Sequence, residues 1–438
     1  MIEVKAGYKQ TEIGVIPEDW DVFNLDKLSD RIGDGIHSTP KYSTDGDYFF
    51  INGNNLNNGI IEITADTKRV SKDEYLIHKK EINNTTVLLS INGTIGNIAF
   101  YNNENIILGK SAAYINLNNG LDKRYLYQIF QTEFIKKYFD NELTGSTIKN
   151  LGLGSIRNSP IPLPPTKSEQ AAIATVLSDT DALIERLEKL IAKKIAIKQG
   201  TMQQLLTGKK RLPGFEMKKG YKQTELGIIP EDWDVISYGE AFDFLSTASY
   251  SRADLSENDE AFYVHYGDIH TTWNFFLDFK KHNPPTIEKI KVKNYSFIKD
   301  GDLIMADASE DYDGIGKSVE VKNITTNKAI SGLHTFLLRG KEGIFVDGFK
   351  GYIHSNRFVK TSMDRLATGL KVYGVSKTNL KTIQIPRPTL PEQTAIATIL
   401  SDMDTEIESL EQKRDKYTMI KQGMMQQLLT GRIRIHGT

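Results

Sequence analysis

Three stretches of the chain combine residue types and spacings that could do chemistry. Asn283-Pro284-Pro285-Thr286 follows the N-P-P pattern of amino-methyltransferases, in which an aromatic ring comes next and helps to hold a flipped adenine. Thr286 stands where that ring belongs, and no glycine-rich cofactor loop lies upstream, so a proline turn is expected. Gly314-Ile315-Gly316-Lys317-Ser318 ends like a phosphate-binding loop, yet Asp311 occupies the position of that motif's first glycine. The eight histidines are scattered without an H-E-x-x-H pair, and cysteine is absent. Thiolate metal sites and a disulfide framework are thereby excluded, and metal catalysis has little support. The expectation is a chain with no catalytic residue, no metal and no cofactor of its own.

Composition sets wide bounds. The 438 residues suggest two or three domains, and 39% hydrophobic with 25% charged residues describes an ordinary globular protein. No apolar run approaches the ~18–20 residues of a membrane span. The opening MIEVKAGYKQ has no apolar segment of a secretory signal, and the lack of cysteine fits a cytoplasmic setting. A formal net charge of -1 neither favours nor excludes nucleic acid, because it says nothing of how charge is distributed.

What must position any functional residue is a frame written twice. GYKQTEIGVIPEDWDV (7–22) returns as GYKQTELGIIPEDWDV (220–235), with two of sixteen positions changed. Residues 165–208 match 388–431 without a gap, identical at 28 of 44 positions. Between these flanks, 23–160 and 236–385 share little. The order is shared frame, private insert, shared frame, and then the same again, which points to two inserts serving as separate recognition surfaces.

The later frame segments read as long helices. Thr166 and Glu169, and Thr389 and Glu392, have capping-box spacing. Ile173, Leu177, Ile184, Leu187 and Ile191 recur at helical steps, as do Ile396, Leu400, Met403, Ile407 and Leu410. Each helix of about 40 residues would reach ~60 Å, and its apolar seam needs a partner, most naturally its own repeat packed antiparallel. Lys194, Lys198, Arg414 and Lys421 interrupt the later seam. Gly200 and Gly423 weaken the helix and predict a local bend or a close helix approach. The repeated ends Gln203, Gln204, Leu205, Leu206 and Gln426, Gln427, Leu428, Leu429 suggest docking of the same partner surface twice. Trp20 and Trp233 read as packing anchors.

These motifs together resemble the specificity subunit of type I restriction-modification systems. The Y-K-x-T-E-[IL]-G-x-[IL]-P-x-D-W opening, the P-T-x-x-E-Q helix start and the Q-Q-L-L-T-G helix end each occur twice. The inserts resemble target recognition domains in DGIHSTPKY (34–42), SINGTIGN (90–97), YGDIHTTW (266–273) and TGLKVYGVSKTNL (368–380). The resemblance implies an α+β fold: two globular mixed α/β recognition domains joined by two long antiparallel coiled-coil helices, with a pseudo-twofold internal repeat. Recognition domains would occupy 1–164 and 211–387, and spacer helices 165–210 and 388–438. It further implies double-stranded DNA as ligand, each insert reading half of a split, asymmetric target. Two modification subunits would bring S-adenosylmethionine and adenine methylation, and restriction subunits a motor-nuclease. A DNA-binding regulator or scaffold without an enzyme partner is the alternative.

Base edges are read by Asn, Gln, Arg, Lys and hydroxyl side chains, whereas phosphate contacts only position the protein. In the first insert the candidates are His37, Ser38, Thr39 and Lys41, then Ser90, Asn92 and Thr94, then Ser146, Thr147 and Lys149. In the second they are Tyr250, Ser251 and Arg252, then His270, Thr271, Thr272 and Trp273, then Lys317, Lys371 and Tyr373.

Overall fold

The computed structural model describes residues 5–435 apart from 148, 217–219, 325–327 and 370. Two compact units emerge, residues 1–188 with 412–438 and residues 189–411. The expected long helices are present as Lys167–Leu206 and Leu390–Leu428. Each helix is divided between the units. Among the described residues no helix is long and apolar enough to cross a membrane.

In unit 1 a frame hairpin, Tyr8–Thr11 with Gly14–Pro17, leads to the strand Asp21–Asn24. That strand pairs antiparallel with Pro160–Leu163, so the two ends of the insert leave the frame side by side. The insert folds as an antiparallel sheet in the order Ile98–Phe100, Thr86–Ser90, Ala112–Leu117, Ser29–Asp34. A smaller sheet has Tyr48–Ile51 at its centre, parallel to Ile106–Leu108 and antiparallel to Arg69–Val70.

Unit 2 repeats this connectivity with unrelated side chains and adds a fifth strand, Phe275–Asp278, parallel to Ser318–Lys322 at the edge of its large sheet. Asp234–Ser237 pairs with Gln384–Arg387. Its large sheet runs Phe242–Leu245, Thr335–Gly340, Leu303–Ala306, Ser318–Lys322, Phe275–Asp278. Its small sheet centres on Ala261–Val264, parallel to Ala329–Ser331 and antiparallel to Thr286–Ile287. Thr286 of the N-P-P stretch thus enters a strand and is buried there.

The long helices pack antiparallel inside each unit. In unit 1 the start of the first helix (Ile173, Ala174, Leu177) shares a core with the end of the second (Leu428, Leu429). In unit 2 Met202, Leu205 and Leu206 meet Ile396, Ala397 and Leu400. The seam tightens at these ends and at Leu187 and Ile191, while Ile184, Met403, Ile407 and Leu410 stay half-buried. Three of the four cations that interrupt it are ion-paired from helix to helix: Lys194 to Glu406 at 2.6 Å, Lys198 to Asp404, and Lys421 to Asp181 at 2.6 Å, while Arg414 pairs with Asp415 of its own helix at 2.7 Å.

One junction in each unit explains why the frame motifs are repeated. In unit 2 the Arg211 guanidinium binds both Asp232 and Glu392 and lies over the Trp233 ring, whose Nε1 donates to Glu392 at 2.9 Å. In unit 1 Arg434 binds Asp19 and Glu169 and lies over Trp20. The glycine of each Q-Q-L-L-T-G end closes the junction. Gly208 (φ +69°) and Gly431 (φ +67°) adopt the left-handed conformation, and a Cβ there would sit within 2.5 Å of Pro230 or Pro17. Glu169 and Glu392 are therefore junction acids. Thr166 does cap the first helix, its Oγ1 accepting from the Glu169 N–H at 3.2 Å, but both carboxylates turn to the arginines.

The junction corrects the expectation for the helix ends. Leu205, Leu206, Leu428 and Leu429 are no more than 5% exposed in the chain's own cores, so they are not docking residues. Of the glutamines, Gln204 and Gln426 are exposed and Gln427 is half-buried. Gln203 is half-buried and donates from Nε2 to the Ser355 carbonyl at 2.7 Å.

Candidate nucleic-acid interface

In both units the strand corresponding to Thr86–Ser90 or Leu303–Ala306 runs out into a polar loop, and the structure pins a second loop beside it. In unit 1 the loop after Ser90 is bridged through Asn92 to Asn150, next to the strand pair Leu143–Thr144 and Asn150–Leu151. This brings Asn92 and Thr94 alongside Ser146, Thr147 and Lys149, which are exposed apart from half-buried Asn92. The Asn92 Nδ2 donates to the Lys110 carbonyl at 3.4 Å, and Ile36 bridges Gly109. His37, Ser38, Thr39 and Lys41 follow directly and are exposed, His37 with its ring 2.7 Å from Asp34. Three stretches chosen from sequence thus lie along one rim. Exposed Lys110 belongs to it as well; its signal was only a lone lysine after a glycine.

Ser90 is a correction. Its side chain is buried, and its Oγ donates to the Thr94 carbonyl at 2.5 Å while accepting the Asn97 N–H at 2.8 Å. It shapes the loop, and its buried hydroxyl spends its one donor within the chain.

In unit 2 the equivalent loop, 307–317, is held to 371–374 by pairing of Ala308–Ser309 with Tyr373–Gly374. Tyr373 packs against Tyr312 with ring centroids 4.1 Å apart and the planes tilted by 35°. The helix Tyr266–Thr271 forms the other wall, where the His270 Nε2 lies 2.9 Å from the Ala308 carbonyl. Lys317 donates to the His270 carbonyl at 2.9 Å, and burial lowers its pKa. Arg252 reaches the same helix through two bonds to Asp268, at 3.0 and 2.6 Å. Between the walls lies a cleft of about 650 Å³ lined by His270, Thr271, Lys317 and Val372, with Glu310, Asp311 and Asp313 on its rim. Lys371 is exposed one residue from Val372, and Thr272 is exposed beyond Thr271.

Two further choices are corrected in unit 2. Trp273 is 3% exposed in a core with Val264, Ile269 and Leu277 and packs rather than reads. Tyr250 is half-buried against Tyr263 and Tyr295, its hydroxyl donating to the Lys291 carbonyl at 3.3 Å. Ser251 is exposed but donates its hydroxyl to Asp254 at 2.8 Å. The acidic rim was missed, because a search for DNA contacts favours cations and amides. Among the described residues no group of three His, Asp or Glu is placed to hold a metal ion.

The model of the type I restriction modification DNA specificity domain matches this chain twice, over residues 17–199 and 230–417. The chain belongs to that family. A relative assigned as the specificity subunit of the type I restriction enzyme MjaX of Methanocaldococcus jannaschii is 28% identical over 98% of this chain and 97% of its own. The type I restriction enzyme MjaVIII specificity subunit of the same organism is 26% identical, covering 96% and 94%. The crystal structure of a type I restriction-modification S subunit from M. genitalium aligns over 98% of both chains, with a TM-score of 0.55 at 15% identity. A chain from work on assembly and conformational transition of the type I system aligns over 95% of this chain and 99% of its own, with a TM-score of 0.54 at 15% identity. At such identity these two structures speak for the fold. For this specificity subunit, the paired matches coincide with the two frame-and-insert repeats.

Proposed function

We propose that each unit reads one half of a split, asymmetric DNA target through its pinned loop pair, and that the chain itself catalyses nothing. Adenine methylation, with its S-adenosylmethionine, belongs to a modification subunit docked on each frame, and cleavage to restriction subunits. One observation carries this reading. Both inserts place polar loops at the same edge of the same strand connectivity, yet the loops share almost no residues. A common scaffold with private loops is what two different half-sites require.

Lys41, Lys110, Lys149 and Lys371 are suited to phosphates, where they would release counterions and set the orientation. Asn92, Thr94, His270 and Thr271 are suited to base edges. Glu310 and Asp313 would repel a phosphate, but a carboxylate in the major groove accepts from a cytosine amino group. The unit 2 half-site is therefore expected to contain a cytosine facing that rim. The test is co-expression with the modification subunit of the same host, followed by mapping of methyladenine across a genome. Methylation at one split, asymmetric motif is the expected result. A continuous palindrome, or no methylation from a well-formed complex, overturns the proposal.

A further inference from the structure

The frame leaves one surface of the first long helix unexplained. Gly200 lies within that helix, and a Cβ built there meets nothing within 4 Å; Gly423 in the second helix is equally open. Neither glycine serves a close approach inside the chain, although glycine weakens a helix interior. Its use at both copies is explained if a segment from outside packs directly on the helix backbone.

In unit 2 Gly200 lines a pocket of about 610 Å³. One wall is frame, with Gln203, Gln204 and Thr207; the other is the start of the helix Arg357–Leu366. Asn356 fixes the two walls together. Its Nδ2 donates to the Leu206 carbonyl at 2.5 Å, and its Oδ1 caps the helix Arg357–Leu366 by accepting from the Phe358 N–H. The pocket is cationic, lined by Lys209, Arg357 and Lys360. Lys360 is compensated by Asp364, whereas Lys209 and Arg357 have no acidic partner among the described residues. Arg357 also occupies the first turn of its helix, which holds no acidic residue and where the backbone dipole favours an anion.

Unit 1 carries the same frame and a different wall. Gly423, Gln426, Gln427 and Thr430 repeat the frame residues, and Arg432 stands in place of Lys209. The helix Glu133–Glu142, however, begins with Glu133 where the other begins with Arg357, and Glu133 pairs with Lys136 at 3.6 Å. The surface common to both units fits a partner that docks twice; the charge that differs makes the two dockings unequal.

We propose that the Gly200 pocket receives a carboxylate-bearing segment of the modification subunit, and that this makes unit 2 the tighter of two unequal docking sites. The inference rests on the reading of the chain as a specificity subunit. Stepwise binding of the purified modification subunit to the full chain, followed by native mass spectrometry and calorimetry at rising salt, tests it. Two steps are expected, with the tighter at least tenfold stronger at low salt and the gap narrowing as salt rises. Arg357→Glu should abolish that gap by weakening the tighter step, and Glu133→Arg should strengthen the weaker one. Arg357 and Glu133 are exposed, so unchanged melting temperatures will show both variants folded. Two equal steps indifferent to Arg357→Glu overturn the inference alone. So does loss of DNA affinity with docking unchanged, which would make the pocket a phosphate contact. No binding of the modification subunit at all overturns the functional reading and the inference with it.

Discussion

The two junctions are built from equivalent residues and differ in how far water reaches them. Around Arg211 the arginine, Asp232 and Glu392 side chains are 4%, 5% and 1% exposed. Around Arg434 the arginine and Asp19 are 27% and 53% exposed, and only Glu169, at 5%, is sealed. The indoles differ too. Trp233 donates to Glu392, while the buried Nε1 of Trp20 has no partner among the described residues. The lesson is that a repeated motif fixes a geometry and not an energy. The same arginine, two acids and indole form a dry, fully bonded knot in one unit and a looser, wetter one in the other.

The sharpest way to break this comparison is to remove the arginines. Arg211→Ala leaves two carboxylates buried without their cation, a loss of about 3–5 kcal/mol. Arg434→Ala should cost less, about 1–3 kcal/mol, because Asp19 already faces solvent. Hydrogen exchange followed separately in peptides 220–237 and 7–24 reads each junction in its own unit. Equal losses would show that burial does not set the difference. A finer probe is the indole pair. Trp233→Phe and Trp20→Phe remove the same volume, but only the first removes a hydrogen bond to a charged group. Trp233→Phe should therefore be the worse by about 1.5–3 kcal/mol.

The smallest expected effects lie on the reading loops. Lys149→Ala and Lys371→Ala should leave both junctions intact and weaken DNA binding several-fold on every sequence. Each should flatten the dependence of log affinity on log salt by about 0.9. A change in the preferred sequence would instead make that lysine a base reader.

The frame was legible in the sequence because its contacts demand particular residues. Trp20 and Trp233, the left-handed Gly208 and Gly431, and the acids at Glu169 and Glu392 permit little substitution, so the duplication survives at the letter level. The arginines were overlooked although they sit at matching positions, three residues beyond each Q-Q-L-L-T-G glycine. Extending the gapless alignment that far would have found them. The common connectivity of the inserts was not legible. A strand such as Thr86–Ser90 or Leu303–Ala306 needs only apolar side chains of fitting size, which many sequences supply. The loops were located, but not which of their residues turn inward. Ser90 and Trp273 have the right chemistry for DNA and are claimed by the turn and the core beneath it.

The central claim is that the frame is common property and each insert carries its own half of the target. Grafting residues 25–159 in place of 238–383 tests it most directly, because each insert is closed by an antiparallel strand pair, Asn24 opposite Pro160 and Ser237 opposite Gln384. With the modification subunit present, methyladenine mapping should find the first half-site twice, in inverted orientation, as a symmetric split target. A folded graft that still methylates the original asymmetric motif would contradict the account.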